Sequence, residues 1–276
     1  MNNLGIDLIS VLGMPPVQFI ELAAELGCPN ISLGLNQMDY NPFGFPRYSI
    51  PGDAGLRREV KAALAANGVT IALGENLAVL PDMDCRDMWQ TSFDLLGELG
   101  VRQVNSVSFE PDFARNVDLY GQLAELAASR GVRVLAEFVP IFGIADMPAT
   151  LELIGQVGHP NLGFIFDTMH AGRTGVTAEQ IRAVPPELIG YIQLCDAPRG
   201  QAEYAFMDSG YMDEAMHERM APGDGDMPLA EYLRALPLDR VISLEIPQRS
   251  AAEAGVSLRE SLGRSIAATR DLLAAL

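Results

Sequence analysis

The sequence predicts an α/β fold, a single (β/α)8 TIM barrel over residues 1–276, and three observations predict it. Eight short runs rich in Val, Ile and Leu recur along the chain. Segments with helical spacing lie between them. The runs begin roughly thirty residues apart, the repeat of a barrel with short loops. In order they are LGIDLIS (4–10), ISLGL (31–35), VTIALG (69–74), VRQVNSVSF (101–109), VRVLAEF (132–138), LGFIFD (162–167), IGYIQL (189–194) and VISLEI (241–246). They are nearly continuously apolar, as parallel strands covered on both faces are, and do not alternate as half-exposed strands do.

Helical spacing marks PVQFIELAAELG (16–27), GLRREVKAALAANG (55–68), MWQTSFDLLGELG (88–100), LYGQLAELAASRG (119–131) and LRESLGRSIAATRDLLAAL (258–276). Four of these close on Gly27, Gly68, Gly100 and Gly131, where the chain must leave the helix before the next strand. Two connections are long, 36–53 after the second strand and 197–229 after the seventh. Both follow a strand, so both belong to the C-terminal face, where barrel enzymes carry their chemistry. Their aromatic residues Tyr40, Phe43, Phe45, Tyr204, Phe206 and Tyr211 are the expected roof of a pocket. Such residues also serve dimer interfaces, so a homodimer is among the expectations.

With 49% hydrophobic and 20% charged residues, a sizeable interior is attainable. A formal net charge of -17 would repel a phosphate backbone, which excludes nucleic acid and an anionic membrane surface as partners and leaves a small molecule. Cys28, Cys85 and Cys195 are too few and too scattered for a disulfide framework or a thiolate metal site, and read as reduced thiols. The opening MNNLGIDLIS has no basic leader region, and no apolar run approaches the roughly eighteen residues of a membrane span. A cytoplasmic protein is expected.

Acids interrupt the apolar runs at Glu137 in LAEFVP, Asp167 in IFDTMH and Glu245 in SLEIP, each at the C-terminal end of its strand. In a closed barrel the three converge on one mouth. Buried carboxylates need a compensating positive charge, and no Lys lies in these runs to supply it. One divalent metal ion would, with Gln193 of YIQLCD as a fourth ligand. Three carboxylates and an amide oxygen favour a hard ion, Mg2+ or Mn2+, over zinc. Glu75 in LGENLAVL also ends a run, and its plainer reading is a turn or cap residue.

This order of residues resembles the xylose isomerase-like TIM barrels, a superfamily of sugar isomerases and epimerases, inosose and 3-dehydroshikimate dehydratases, and endonuclease IV. The ERMAPGDGDMPL stretch (218–229) is similar to its recurrent Arg, Pro-Gly-x-Gly loop. The resemblance implies that Glu137, Asp167, Gln193 and Glu245 hold the metal and that Glu137 and Glu245 also act as base and acid. It implies that His170 and Arg199 hold substrate oxygens. Where most isomerases have His this chain has Gln193, as the 3-dehydroshikimate dehydratases do. Gly143 stands where ketose epimerases carry a second substrate-binding Glu, which speaks against that activity. Endonuclease IV needs several histidines, and this chain has only His159, His170 and His217. His159 is expected in a turn on the bottom face and His217 in the long loop, while Arg47, Arg173 and Arg219 are further cations near strand ends.

The resulting expectation is an isomerase or epimerase that acts on a small sugar or hydroxy-keto acid through an enediolate. The alternative is a dehydratase of the 3-dehydroshikimate or inosose type, in which a β-hydroxyl leaves as water.

Overall fold

The structure, a computed structural model, describes residues 3–81, 84, 86–200 and 203–276; Cys85 lies outside the described residues. Its elements are β1 (Leu4–Ile6), α1 (Pro16–Glu25), β2 (Asn30–Leu33), α2 (Ala54–Asn67), β3 (Thr70–Val79), α3 (Arg86–Glu98), β4 (Gln103–Ser108) and α4 (Phe113–Ala128). They continue with β5 (Arg133–Glu137), α5 (Met147–Val157), β6 (Leu162–Asp167), α6 (Thr168–Arg173), α7 (Ala178–Ala183), β7 (Ile189–Leu194), α8 (Ser209–His217), α9 (Leu229–Leu233), β8 (Ile242–Leu244), α10 (Arg249–Glu253) and α11 (Leu258–Ala274). The strands pair in parallel in chain order, and β1 closes onto β8, so the expected (β/α)8 barrel is the fold.

Local chemistry sets the helix ends. The Asp53 carboxylate accepts the backbone N–H of Leu56 and starts α2, and Gly68 ends it at φ +64°, a backbone region that disfavours other residues. No helix among the described residues is long and apolar enough to cross a membrane.

Two strands depart from the expected limits. The first run is split: β1 stops at Ile6, and residues 8–11 form a 3-10 turn whose Leu8 and Val11 stay buried. The third is longer than expected and reaches Val79, so Glu75 lies inside β3 and does not end it.

Side chains alternate along each strand, and this places the functional end. Leu73, Leu135, Ile165 and Tyr191 pack together as one apolar layer within the barrel. Two residues further along the same four strands come Glu75, Glu137, Asp167 and Gln193. An acidic and amide layer therefore lies directly on an apolar plug. The larger apolar cluster, with Phe19, Trp89, Tyr120 and Phe164 fully buried, fills the space between strands and helices.

The connection from β7 returns over the mouth of the barrel. Asp196 pairs with Met220 in an antiparallel bridge, and its carboxylate accepts the backbone N–H groups of Ala197, Gly223 and Met227. A side chain at Gly225 would collide with Asp196 and Ala197, so only glycine lets the loop close this tightly. Asp196 thus anchors residues 218–227 and sets Arg219 above the strand ends.

Candidate active site

Asp167 is held from two sides. Its Oδ1 accepts the backbone N–H of His170 at 2.9 Å, capping α6, and its Oδ2 lies 2.6 Å from Arg219 Nη1. The cap and the site residue are the same carboxylate, and the cap fixes its orientation. Arg219 Nη1 also stands 2.7 Å from Glu245 Oε2, while its Nε donates to the carbonyl of Ala215 at 2.7 Å. Gln193 Nε2 donates to Glu245 Oε1 at 3.0 Å. On the β5 side, His170 Nε2 lies 3.3 Å from Glu137 Oε1, and Asn105 Nδ2 donates to Glu137 Oε2 at 2.5 Å and to Glu75 Oε2 at 3.0 Å. His170 Nδ1 lies 2.6 Å from the Tyr211 hydroxyl of α8.

A positive charge therefore does reach the carboxylates from the protein, through Arg219, whereas the one cation in the strands, Arg133, stands at the opposite end of β5 from Glu137. It does not balance them. Asp7, Glu137, Asp167 and Glu245 are all buried, and Glu75 joins them half-buried from β3. Burial raises the Asp167 carboxyl, but Arg219 and then His170 outweigh it and hold it well below the usual carboxylate range, whereas burial pushes Glu245 well above it. Glu75 is also pushed well above that range, by burial and then by the charges of Asp7 and Glu137.

The donor set fits a divalent cation. Gln193 Oε1 is buried and accepts no hydrogen bond, which is costly unless something occupies it. Each carboxylate offers about four lone-pair sites, so an oxygen that accepts from Arg219 or His170 retains capacity for a cation. One ligand atom each from Glu137, Asp167 and His170 lie within 4.8 Å of one another, so an imidazole nitrogen stands beside the oxygens.

Asp7 receives the Tyr191 hydroxyl at 3.2 Å, and burial raises its carboxyl to about 7. Folded, it keeps its proton between pH 3.8 and 7; unfolded, it releases it at the lower value. The metal-free protein should therefore lose stability as pH rises through that window, Asp7 contributing a slope of about -1.4 kcal/mol per pH unit that flattens above 7. Chemical denaturation from pH 4.5 to 8 should show this slope, and Asp7→Asn should remove its share.

A cavity of about 360 Å3 opens above these groups, lined by Glu75, Asn105, Glu137, His170, Arg219 and Glu245 below and by Val139, Ile141, Phe109 and Phe142 at the side. The two phenylalanine rings meet at a tilt of 56°, their centroids 4.4 Å apart. The turn after β5 carries Gly143, whose backbone N–H donates to Ser108 and whose Cα faces the Glu110 carbonyl so closely that any Cβ would collide with it. This backbone admits no glutamate at 143. A second cavity, about 500 Å3, shares Glu75, Leu77 and Met216 with the first and is lined further by Asn36, Asp39, Tyr40 and His217 of the two long connections.

Of the residues singled out in the sequence, Glu137, Asp167, Gln193, Glu245 and His170 come together at this mouth. Arg199 does not: it is exposed on the outer part of the β7 connection, its backbone N–H bonded to Asp226. Arg219 takes the place by the carboxylates because the Asp196–Met220 bridge folds the loop back. His159 Nδ1 accepts the backbone N–H of Asn161, a turn role. His217 pairs with Asp213 and meets the Tyr40 ring edge-on. Arg47 pairs on the surface with Asp39, and Arg173 is buried against Glu214 and Tyr204. The sequence reading missed Asp7 and Asn105. Their signal was the same two-residue step beyond an inward strand position that marks Asp167.

A family model described as xylose isomerase-like TIM barrel matches residues 20–271. A 3-dehydroshikimate dehydratase of Pseudomonas putida is 28% identical over 195 residues, 65% of this chain but 29% of that protein, so the chain spans under a third of this relative's length. Among solved structures, IOLI protein with a binding zinc atom superimposes with a TM-score of 0.78 at 18% identity, covering 99% of this chain and 98% of that one. D-psicose 3-epimerase in the presence of D-fructose gives a TM-score of 0.71 at 16% identity, covering 98% and 99%.

Proposed function

The chain belongs to the xylose isomerase-like TIM barrel family, and from that premise we propose that it is a divalent-metal-dependent enzyme that removes a proton beside a carbonyl of a small hydroxylated ketone. Within that chemistry the proposed outcome is loss of a β-hydroxyl as water. The observation that carries the reading is the convergence of Glu137 and Glu245, three strands apart round the barrel, on one cavity, with the unused oxygen of Gln193 on the side chain that donates to Glu245.

Glu137, Asp167, Gln193 and Glu245 would hold the ion, with His170 beside them. When bound, the ion supplies the positive charge that acidifies the carbon next to the carbonyl and steadies the resulting enediolate or enolate. Glu137, with both oxygens fixed by His170 and Asn105, is the proposed base. Glu245, which lines the same cavity from the end of β8, is the proposed acid that delivers a proton to the departing hydroxyl. The wall of Phe109, Phe142, Val139 and Ile141 excludes water from the carbon that loses its proton.

Two observations favour elimination: the 28% identity to a 3-dehydroshikimate dehydratase, and the collision that bars a glutamate at Gly143. Isomerisation or epimerisation is the second reading, favoured by the same pair of glutamates on two sides of the cavity, which could remove a proton at one carbon and return it at another. Dialysis against a chelator is expected to abolish turnover, and Mg2+ or Mn2+ to restore it. Elimination would give a conjugated product absorbing in the ultraviolet. Isomerisation in deuterated buffer would exchange a carbon-bound hydrogen without that absorbance. Activity that survives exhaustive chelation would remove the proposal.

A further inference from the structure

The charges facing the inner cavity are one-sided. Glu75, Glu137 and Glu245 line it as carboxyls, and among its described lining residues the nitrogen bases are Arg219 and His170. Arg219 is already set against two carboxylates, at 2.6 Å from Asp167 and 2.7 Å from Glu245. His170 is placed between Glu137 and the Tyr211 hydroxyl. The Asn105 amide group divides its hydrogens between Glu75 and Glu137. Asp7 lies close enough for its charge to bear on Glu75. Five carboxyl groups therefore share one guanidinium whose carboxylate partners are already in place, and no cation among the cavity's described lining residues is left to face an anion.

The approach is no more welcoming to an anion. The outer cavity meets the inner one at Glu75, Leu77 and Met216 and adds Asp39 to its walls. Its His217 faces Asp213 at 3.1 Å. Arg173 is engaged with Glu214 at 2.7 Å, and Arg47 is paired with Asp39 at 3.3 Å. None of the residues outside the described set is Lys, Arg or His.

We propose that Glu75 determines specificity, restricting the site to uncharged hydroxylated ketones and excluding substrates that carry a carboxylate or phosphate. In either protonation state a carboxyl pairs with a hydroxyl group. Toward an anion it offers at most one hydrogen, as the acid, and no positive charge to match the ligand's. The cavity thus has the reaction groups of a dehydratase but a carboxyl where recognition of an anionic substrate would call for a guanidinium. The inference rests on the reading above for the reacting ketone, but it concerns binding and is tested apart from turnover.

The test is calorimetry on the Mn2+-loaded protein with two probes, an inosose, which is an uncharged pentahydroxycyclohexanone, and 3-dehydroshikimate. The inosose is expected to bind at least tenfold more tightly, about 1.4 kcal/mol. Glu75→Gln should narrow that gap to about threefold or less, and Met216→Arg, which adds a cation where the cavities meet, should strengthen 3-dehydroshikimate binding. Thermal midpoints report whether each variant is folded. Equal or tighter binding of 3-dehydroshikimate by the unmodified protein overturns the inference, as does binding of neither probe or a gap that neither variant moves. Tighter inosose binding without turnover upholds it and removes the dehydratase reading instead.

Discussion

Replacing Arg219 by methionine is expected to destabilise the metal-free protein by about 3–5 kcal/mol at pH 7, the cost of breaking a buried ion pair by removing one partner. The guanidinium is 4% exposed, and both its carboxylate partners are buried. Without it Asp167 and Glu245 would face each other with no cation between them. The pH dependence gives the sign. Arg219 helps hold Asp167 below its ordinary value of 3.8, so that part of the stability is present above pH 3.8 and is lost as pH falls below it. In Arg219→Met the carboxyls can instead take up protons, so the deficit against the unmodified protein should shrink from pH 7 to pH 4.5. Saturating Mn2+ should recover part of it, because an ion that binds only the folded state stabilises that state. Urea denaturation at the two pH values, with and without Mn2+, measures all three effects. Arg199→Met, on the exposed loop, should change stability by no more than about 0.5 kcal/mol. Equal effects at 199 and 219 would mean that the Asp167–Arg219–Glu245 arrangement does not hold.

The contrast between these two arginines shows what was legible in the sequence. Strands covered on both faces announce themselves as apolar runs, and a charge that interrupts such a run has few reasons to be there, so Glu137, Asp167 and Glu245 stood out. Their shared direction follows from the two-residue period of a strand. Asp7 and Glu75 obey the same period but were harder to read. The first run does not reveal that its strand ends at Ile6, and the third does not reveal that its strand runs on to Val79. Arg219 was named among the cations near strand ends, but its pairing with Asp167 and Glu245 was beyond reach for another reason. Its position depends on Asp196, twenty-three residues earlier, gathering backbone N–H groups from both ends of the loop. The resemblance pointed to Arg199, six residues after Gln193, but the segment around 199 runs outward before the loop turns back. A local count cannot see a closure made by long-range hydrogen bonds.

Glu137→Gln is expected to lower kcat by about 10^3-fold, within the range that loss of a positioned general base produces. Its effect on stability should have the opposite sign from that of Arg219→Met. Glutamine keeps an oxygen to accept from Asn105 or His170, yet it removes one negative charge from a layer where Glu75 and Glu245 already lie well above the ordinary carboxylate range. The thermal midpoint of the metal-free variant should therefore hold or rise while activity collapses. A residue that served only the fold would show the reverse pairing. Because Glu137 is also a proposed ligand, kcat is measured at saturating Mn2+ and bound metal is determined alongside, which separates weaker ion binding from loss of the base. Deuterium exchange at the substrate carbon should fall with kcat, since both need the same proton removed. A variant within tenfold of the unmodified enzyme at saturating metal would displace Glu137 as the base, and the opposite glutamate, Glu245, would then be the group to test.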